Sequence, residues 1–290
     1  MVDEMAIRKA KVYSQPKDKF VGHVDLGAGD VEDTRLAKNA LVFMAVGLKV
    51  CGATLPPTFS QTTFQETRTE LAKTVLCALG DAELKVRSFL ADGLQANLSM
   101  FGHLGVQNLQ PKQLQLPIVS NYFLHPATNQ KVYVLQDVVH MLKLLRNLLG
   151  EYKSLQLDGE EVSWGYIQAL YDPQHSEGIR AANKLPRRHV QYEKNKIKVK
   201  LAAQLSSNSV GKARLYLEES GHHEFTGVGA TGRLILLVDQ AFDYLNSSNP
   251  YVKVFKTPVA ANNLMLRREF LADFSSVLFR LQTASSEPVL

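Results

Sequence analysis

Three polar side chains in LILLVDQAFDYLNSS recur at helical intervals: Asp239, Asp243 and Asn246 stand four and three residues apart. At about 100° per residue they fall within about 60° of one another, while Leu234, Val238, Ala241 and Leu245 point to the opposite side. A carboxylate accepts two N–H bonds side by side, and guanine presents such a pair at its N1 and exocyclic amine. A solvated acidic face has the same spacing, so base recognition and plain solvation both stay open. Two more aspartates sit at strand ends, Asp3 near the start of the first apolar run and Asp92 in LADG. Aspartates on neighbouring strand ends can bind two divalent metals about 4 Å apart, which activate a hydroxyl and stabilise a leaving oxygen in phosphoryl transfer. Polar strand ends are also common without metals. Asp137 and His140, in QDVVHMLKLLRN, form a third cluster, whose simplest reading is a helix N-cap.

Phosphate binding has one basic stretch to draw on. NKLPRRHVQYEKNKIKVK, residues 183 to 200, carries Lys184, Arg187, Arg188, Lys194, Lys196, Lys198 and Lys200 against Glu193 alone. Such an excess attracts the phosphates of a nucleotide or of nucleic acid, although a solvated basic face is equally compatible with it. No glycine-rich phosphate loop accompanies it. SSNSVGKAR has Gly211 and Lys212 but neither the earlier glycine nor the following Ser or Thr, and Pro186 stands where N-K-x-D needs an aspartate. Lysine side chains, Lys198 and Lys200 among them, and helix N-termini must then hold any phosphate. GVGATG, residues 227 to 232, spells G-x-G-x-x-G, but no strand of useful length precedes it and the rest of the chain reads as helix. It is expected to be a flexible loop in which Thr231 caps the next helix.

The elements that must carry these residues change character near Gly150. Before it, VDEMAIR, KFVGHVDLG, ALVFMAVGLKV, KVRSFLADG and KVYVLQD read as strands; ETRTELAKTVLCALG, ANLSMFGHLG and HMLKLLRNLLG read as helices. That order suggests an α/β layer fold. After it, SWGYIQALYD, IKVKLAAQL, SVGKARLYLEES, TGRLILLVDQAFDYLN and NNLMLRREFLADFSSVLFRLQ all read as helices, so the second half is expected to be a separate all-helical unit with a frayed tail, TASSEPVL.

A hydrophobic content of 45% over 290 residues suffices for two cores. Cys51 and Cys77, far apart and outside any C-x-x-C, point to structural thiols in a reducing compartment rather than to a disulfide or zinc framework. No apolar run reaches 18 residues, and MVDEMAIRKA lacks the apolar core of a signal peptide. A soluble intracellular protein without a membrane partner is expected.

DEMAIRK, FVGHVDLG, ALVFMAVGLK, LADGLQANLSMFGHLG, VYVLQDVVHMLKLLRNLLG, the basic stretch with its continuation to LYLEE, FTGVGATGRLILLVDQAFDYLNSSNP and VFKTPV resemble, in this order, the central part of P-element-type transposases and their THAP-domain-containing relatives. The resemblance covers almost the whole chain. It implies an α/β RNase H-like catalytic domain, incomplete here, over residues 1–149, followed by a mainly α-helical GTP-binding insertion domain over 150–283 and a tail over 284–290. It implies Asp3 and Asp92 as two of three acidic ligands of a two-Mg²⁺ centre that cleaves and joins DNA, and Asp243 with Asn246 as the guanine-reading element. GTP, transposon-end DNA and a homo-oligomer are the partners it brings with it, and the nucleus the location.

The departures are as informative. The family's DNA-reading zinc finger would precede Asp3, and its third acid, a glutamate in a Q-D-H-x-E-like segment after the insertion, has no counterpart; Glu269 lies in the right direction but in RREFLAD. The expectation is therefore a fragment, an incomplete gene model or a decayed copy of a transposase, or alternatively a domesticated, non-catalytic GTP- or DNA-binding protein.

Overall fold

The first strand, β1 (Val2–Ala6), turns Val2 and Glu4 to one side and Asp3 to the other: Val2 is buried, Asp3 exposed and Glu4 half-buried. The structure, a computed structural model, describes residues 1–25, 35–47, 58–60, 65–106, 121–171, 185, 187–247, 251 and 255–289. Cys51 and Lys184 lie outside these residues; Cys77 is a free, half-buried thiol. A short hairpin follows, β2 (Val12–Ser14) with β3 (Lys19–Val21). Strand β4 (Asn39–Phe43) runs antiparallel to β1, with Val2 opposite Phe43 and Asp3 opposite Val42, and β5 (Thr58–Ser60) pairs on its other side.

Helix α1 (Gln65–Asp81) repeats buried residues at Arg68, Ala72 and Leu76, one face at intervals of four. Strand β6 (Ser88–Ala91) ends at Asp92 and leads into α2 (Gln95–His103). Strands β7 (Tyr122–Leu124) and β8 (Lys131–Gln136) complete a second sheet in the order β6-β8-β7, with β6 and β8 parallel. A parallel pair needs a crossover, and α2 lies in the connection. The ring of Phe89 meets Phe101 edge-on at 5.6 Å and Phe123 at 6.3 Å, so strand and helix share one core with Val2, Leu41 and Leu76. Strand β1 lies against β6.

Two compact units result, Met1–Asp137 and Val138–Leu290. The division precedes Gly150 because α3 (Val138–Tyr152) packs on helices of the second unit through Leu142 and Leu149. That unit is not all-helical as expected. Strands β9 (Ser154–Leu157) and β10 (Glu160–Ser163) form a hairpin, with Leu155, Leu157 and Val162 buried. Asp158 and Gly159 make its turn at φ 55° and 84°, the left-handed values that an Asp-Gly pair accepts and that match strand twist.

The helices then follow as α4 (Gly165–Tyr171), α5 (Arg187–Val190), α6 (Val199–Leu205), α7 (Asn208–Glu219), α8 (Gly229–Leu245) and α9 (Leu264–Phe279). Trp164, Ile167, Tyr192, Leu205, Phe225 and Val238 fill their core. Helices α7 and α8 cross closely at Gly211 and Gly232; a Cβ on Gly232 would stand 2.8 Å from Leu215 Cδ2. The tail is not frayed either. Gln282 exchanges backbone hydrogen bonds with Gln156 of β9, at 2.8 and 3.0 Å, and the Val289 N–H donates to the Leu281 carbonyl at 3.2 Å. The open edge of the hairpin supplies the unpaired backbone groups that order it.

Candidate functional site

In the first unit, Asp92 follows β6 where the chain turns into α2. Its Oδ1 accepts the Leu94 backbone N–H at 3.2 Å and the Asn97 amide Nδ2 at 2.6 Å. Asn97, 2% exposed on the inner face of α2, accepts at its own Oδ1 from Arg68 Nη1 at 2.7 Å. Arg68, 5% exposed on α1, donates from Nη2 to Glu4 Oε2 in a short ion pair, and Glu4 Oε1 accepts from Asn39 Nδ2 of β4 at 2.8 Å. A continuous hydrogen-bonded chain thus joins β4, β1, α1, α2 and the end of β6.

Asp3 lies next to Glu4 on β1, facing the other way, with Oδ1 accepting the Glu4 N–H at 2.9 Å. Asp3 stands on β1, which lies against β6, and Asp92 directly follows β6; each has one carboxylate oxygen lacking a partner among the described residues. Two open carboxylate oxygens suit a hard divalent cation in ligand type. Among the described residues, no group of three or more His, Cys, Asp or Glu side chains could hold a metal. Asp137 directly precedes α3 and its N–H donates to the Ala91 carbonyl at 2.9 Å; His140 is half-buried on α3, and Glu269 is exposed on α9.

In the second unit, Arg188, Lys198 and Lys200, with Val199 and Leu201, line a cavity of about 350 Å³. The segment that carries them is held by buried polar groups. Arg146, on the apolar face of α3, donates from Nη2 to the carbonyls of Asn195 and Lys196 at 3.1 and 3.0 Å. Asn195 donates in turn to the carbonyls of Arg188 and Gln191 at 3.1 and 2.9 Å, and His189 Nε2 meets Gln204 Oε1 at 3.0 Å. Burial lowers the guanidinium of Arg146, partly offset by the phenol of Tyr192. The cations themselves stay exposed at the cavity wall while their backbone is fixed, an arrangement that can take an anion without folding around it.

Helix α8 separates its three polar residues by role. Asp239 is half-buried, and burial, then the charge of Asp243, raises its carboxyl above the usual range; the Asn208 N–H at the start of α7 and Lys256 pull it back. Asp243 pairs with Lys256 at 3.1 Å, and Asn246 is exposed at the C-cap. The described contacts join Asp243 to Lys256 and not to Lys198 or Lys200. GVGATG is no free loop: α8 already begins at Gly229, and Thr231 is buried inside it. The Thr231 hydroxyl accepts the Ser163 N–H at 3.0 Å and fastens the helix to β10, so the expected N-cap is replaced by a tertiary bond.

Glu4, Arg68, Asn97, Arg146 and Lys256 were not singled out from sequence. A signal exists for two of them, since Arg68 and Arg146 interrupt otherwise apolar helix stripes, where a charge requires a partner.

Two family models cover most of the chain. The one described as TNP-like, RNase H N-terminal domain matches residues 1–105, and the one described as TNP-like, GTP-binding insertion domain matches 139–258. The chain is 22% identical to the human DNA transposase THAP9 over 294 residues, a match that takes in 100% of this chain and 32% of that protein. It also superposes on the solved structure of the Drosophila P element transposase strand transfer complex with a TM-score of 0.77, at 20% identity, over 96% of this chain and 57% of that one. The chain thus spans about a third of the curated relative's length.

An α/β unit with the RNase H N-terminal signature, followed by a mainly helical unit with the GTP-binding insertion signature, defines a transposase-like protein. The chain belongs to the P-element-type transposase family. Among the described residues no helix is long and apolar enough to cross a membrane.

Proposed function

We propose that this chain supplies two metal-binding carboxylates and a guanine-nucleotide site to a DNA transposase of the P-element type. The observation that carries the reading is the cavity lined by Arg188, Lys198 and Lys200, within the region matching the GTP-binding insertion. Lys198 and Lys200 hold the phosphates as point charges, and Arg188 adds a fork of donors. Asp243, with Asn246 one turn on, reads the base; guanine takes the place of Lys256 as the partner of the carboxylate. In the first unit Asp3 and Asp92 hold Mg²⁺, which when bound would polarise a phosphodiester and activate a water or a DNA 3′-hydroxyl. DNA as the substrate, the nucleus as the location and a homo-oligomeric assembly belong to the same proposal.

Adenine lacks guanine's N1–H and exocyclic N–H pair, so ATP forgoes the charge-assisted hydrogen bonds to Asp243, whose half-buried carboxylate keeps Lys256 as its partner, a difference of about 1.5–3 kcal/mol or roughly 10- to 100-fold in affinity. The unmodified chain is expected to bind GTP over ATP by that margin in equilibrium titrations. In Asp243→Asn, GTP weakens and xanthosine triphosphate improves, because its O2 accepts from an amide. Equal GTP and ATP affinities, or a preference untouched by Asp243→Asn, would remove the base-reading role.

A second reading is a binding protein without catalysis, in which the second unit keeps the affinity for nucleotide or DNA and the first is scaffold. Groups that act as a unit fail together. The purified polypeptide alone is therefore expected to show no Mg²⁺-dependent strand transfer, and activity lost in Asp92→Ala would contradict this.

A further inference from the structure

We propose that Asn97, oriented by Arg68, is the positioning residue that presents Asp92 to a divalent cation; this rests on the reading of Asp3 and Asp92 as metal ligands. A guanidinium has donors only, so Arg68 Nη1 at 2.7 Å compels the Asn97 oxygen to face it. The amide nitrogen is thereby directed at Asp92, 2.6 Å away. The reversed amide would set NH₂ against guanidinium and oxygen against carboxylate, two repulsive contacts. Arg68 therefore decides which way the relay points.

The consequence falls on one atom. Asp92 Oδ1 is taken by Asn97 and by the Leu94 N–H, which fixes the carboxylate plane and leaves Oδ2 as the oxygen to meet a cation. The far end of the relay acts on the other strand. Arg68 grips Glu4, which also accepts from Asn39 at 2.8 Å. Successive residues of a strand point to opposite faces, so a clamped Glu4 sets the direction of the neighbouring Asp3. Partners of this kind behind a ligand typically change metal affinity by about 10- to 100-fold when removed.

Mn²⁺ binding to the purified chain, followed by the electron paramagnetic resonance of the free ion, tests the assignment. Asp92→Ala tests the underlying reading: Mn²⁺ affinity unchanged by that variant would overturn both the metal site and the inference. With Asp92 required, Asn97→Ala is expected to weaken Mn²⁺ by about 10- to 100-fold. Affinity within about threefold of the unmodified chain would sink the role of Asn97 while leaving Asp92 a ligand. Should Asn97→Ala fail to fold, the unmodified chain decides. With ¹⁵N-labelled asparagine, the Asn97 side-chain amide resonance should shift on addition of Mg²⁺ and should not do so in Asp92→Ala. An Asn97 resonance unmoved by saturating Mg²⁺ would overturn the proposal, since an amide bonded to the carboxylate that takes the ion must sense its binding.

Discussion

Two buried arginines separate the two units. Arg68 in the first is 5% exposed and spends its donors on Asn97 and Glu4; Arg214 in the second, on α7, is 0% exposed, and none of its three guanidinium nitrogens has an acceptor among the described residues. Burial pushes the Arg214 guanidinium down to about 9. The same residue type on the same kind of helix face thus serves two ends. In the first unit a buried charge organises the carboxylates of the site. In the second the cations proposed to meet phosphate stay exposed, on a segment held by Arg146 and Asn195, and the buried charge of Arg214 is a burden on the core. A centre that must hold small ions at fixed geometry benefits from advance ordering, whereas a site for a large polyanion can rely on exposed cations.

The largest effect expected from this contrast is on Arg68. Arg68→Leu strands the Glu4 carboxylate and the Asn97 oxygen, and breaking a buried pair from one side costs about 3–5 kcal/mol. The thermal transition of the first unit should fall accordingly; an unchanged midpoint would show that the polar chain carries no weight. Arg214→Met should act with the opposite sign. Replacing an unpaired buried cation by an apolar side chain of similar length is expected to stabilise the second unit by about 1–4 kcal/mol. A loss in the purified chain would mean that Arg214 is paired in solution.

Changes at the cavity should leave stability alone and alter binding. Lys198→Gln with Lys200→Gln is expected to flatten the salt dependence of GTP binding, because fewer charge pairs remain to be screened. A slope equal to that of the unmodified chain would return the stretch to an ordinary basic face.

The smallest effect concerns Asp239. Its carboxyl is raised by burial and by Asp243, so the folded chain holds that proton more readily than the unfolded one. Its contribution to stability is complete below the unfolded pKa and is lost as pH rises through the folded value. Asp239→Asn keeps an acceptor for the Asn208 N–H and removes the charge. A gain of less than about 1 kcal/mol near neutrality is expected, limited by solvent around a half-exposed group. The gain should vanish in acid; one that persisted there would exclude the ionisation as its cause. Asp239→Asn should also leave the preference for GTP over ATP where it was, in contrast to Asp243→Asn.

Much of the fold was legible because its signals are local. Strands β1, β6 and β8 and helix α9 lie within segments whose apolar period names them, and helices α1, α2, α3, α7 and α8 overlap theirs with ends that differ by one or two residues. The hairpin of β9 and β10 was legible too, in the Asp158-Gly159 pair between Leu155, Leu157 and Val162, but a run of helical segments on either side concealed it. The ordered tail and the role of Thr231 were not legible. Each depends on a partner far along the chain: Gln156 for Gln282, and Ser163 for Thr231.

The sequence by itself determined the family, the main helices and the placing of Asp3 and Asp92 at strand ends, since these follow from motif order and from periods of two and 3.6 residues. Tertiary structure alone decided what the interrupting charges do. Arg68 recurs with Ala72 and Leu76, and Arg214 with Val210 and Leu217, so both read as a cation on an apolar stripe. Arg68 finds Asn97 and Glu4, 29 and 64 residues away in sequence, and Arg214 finds no acceptor among the described residues. Helical period specifies that a side chain turns inward; only the packing of distant segments specifies whether an acceptor is waiting there.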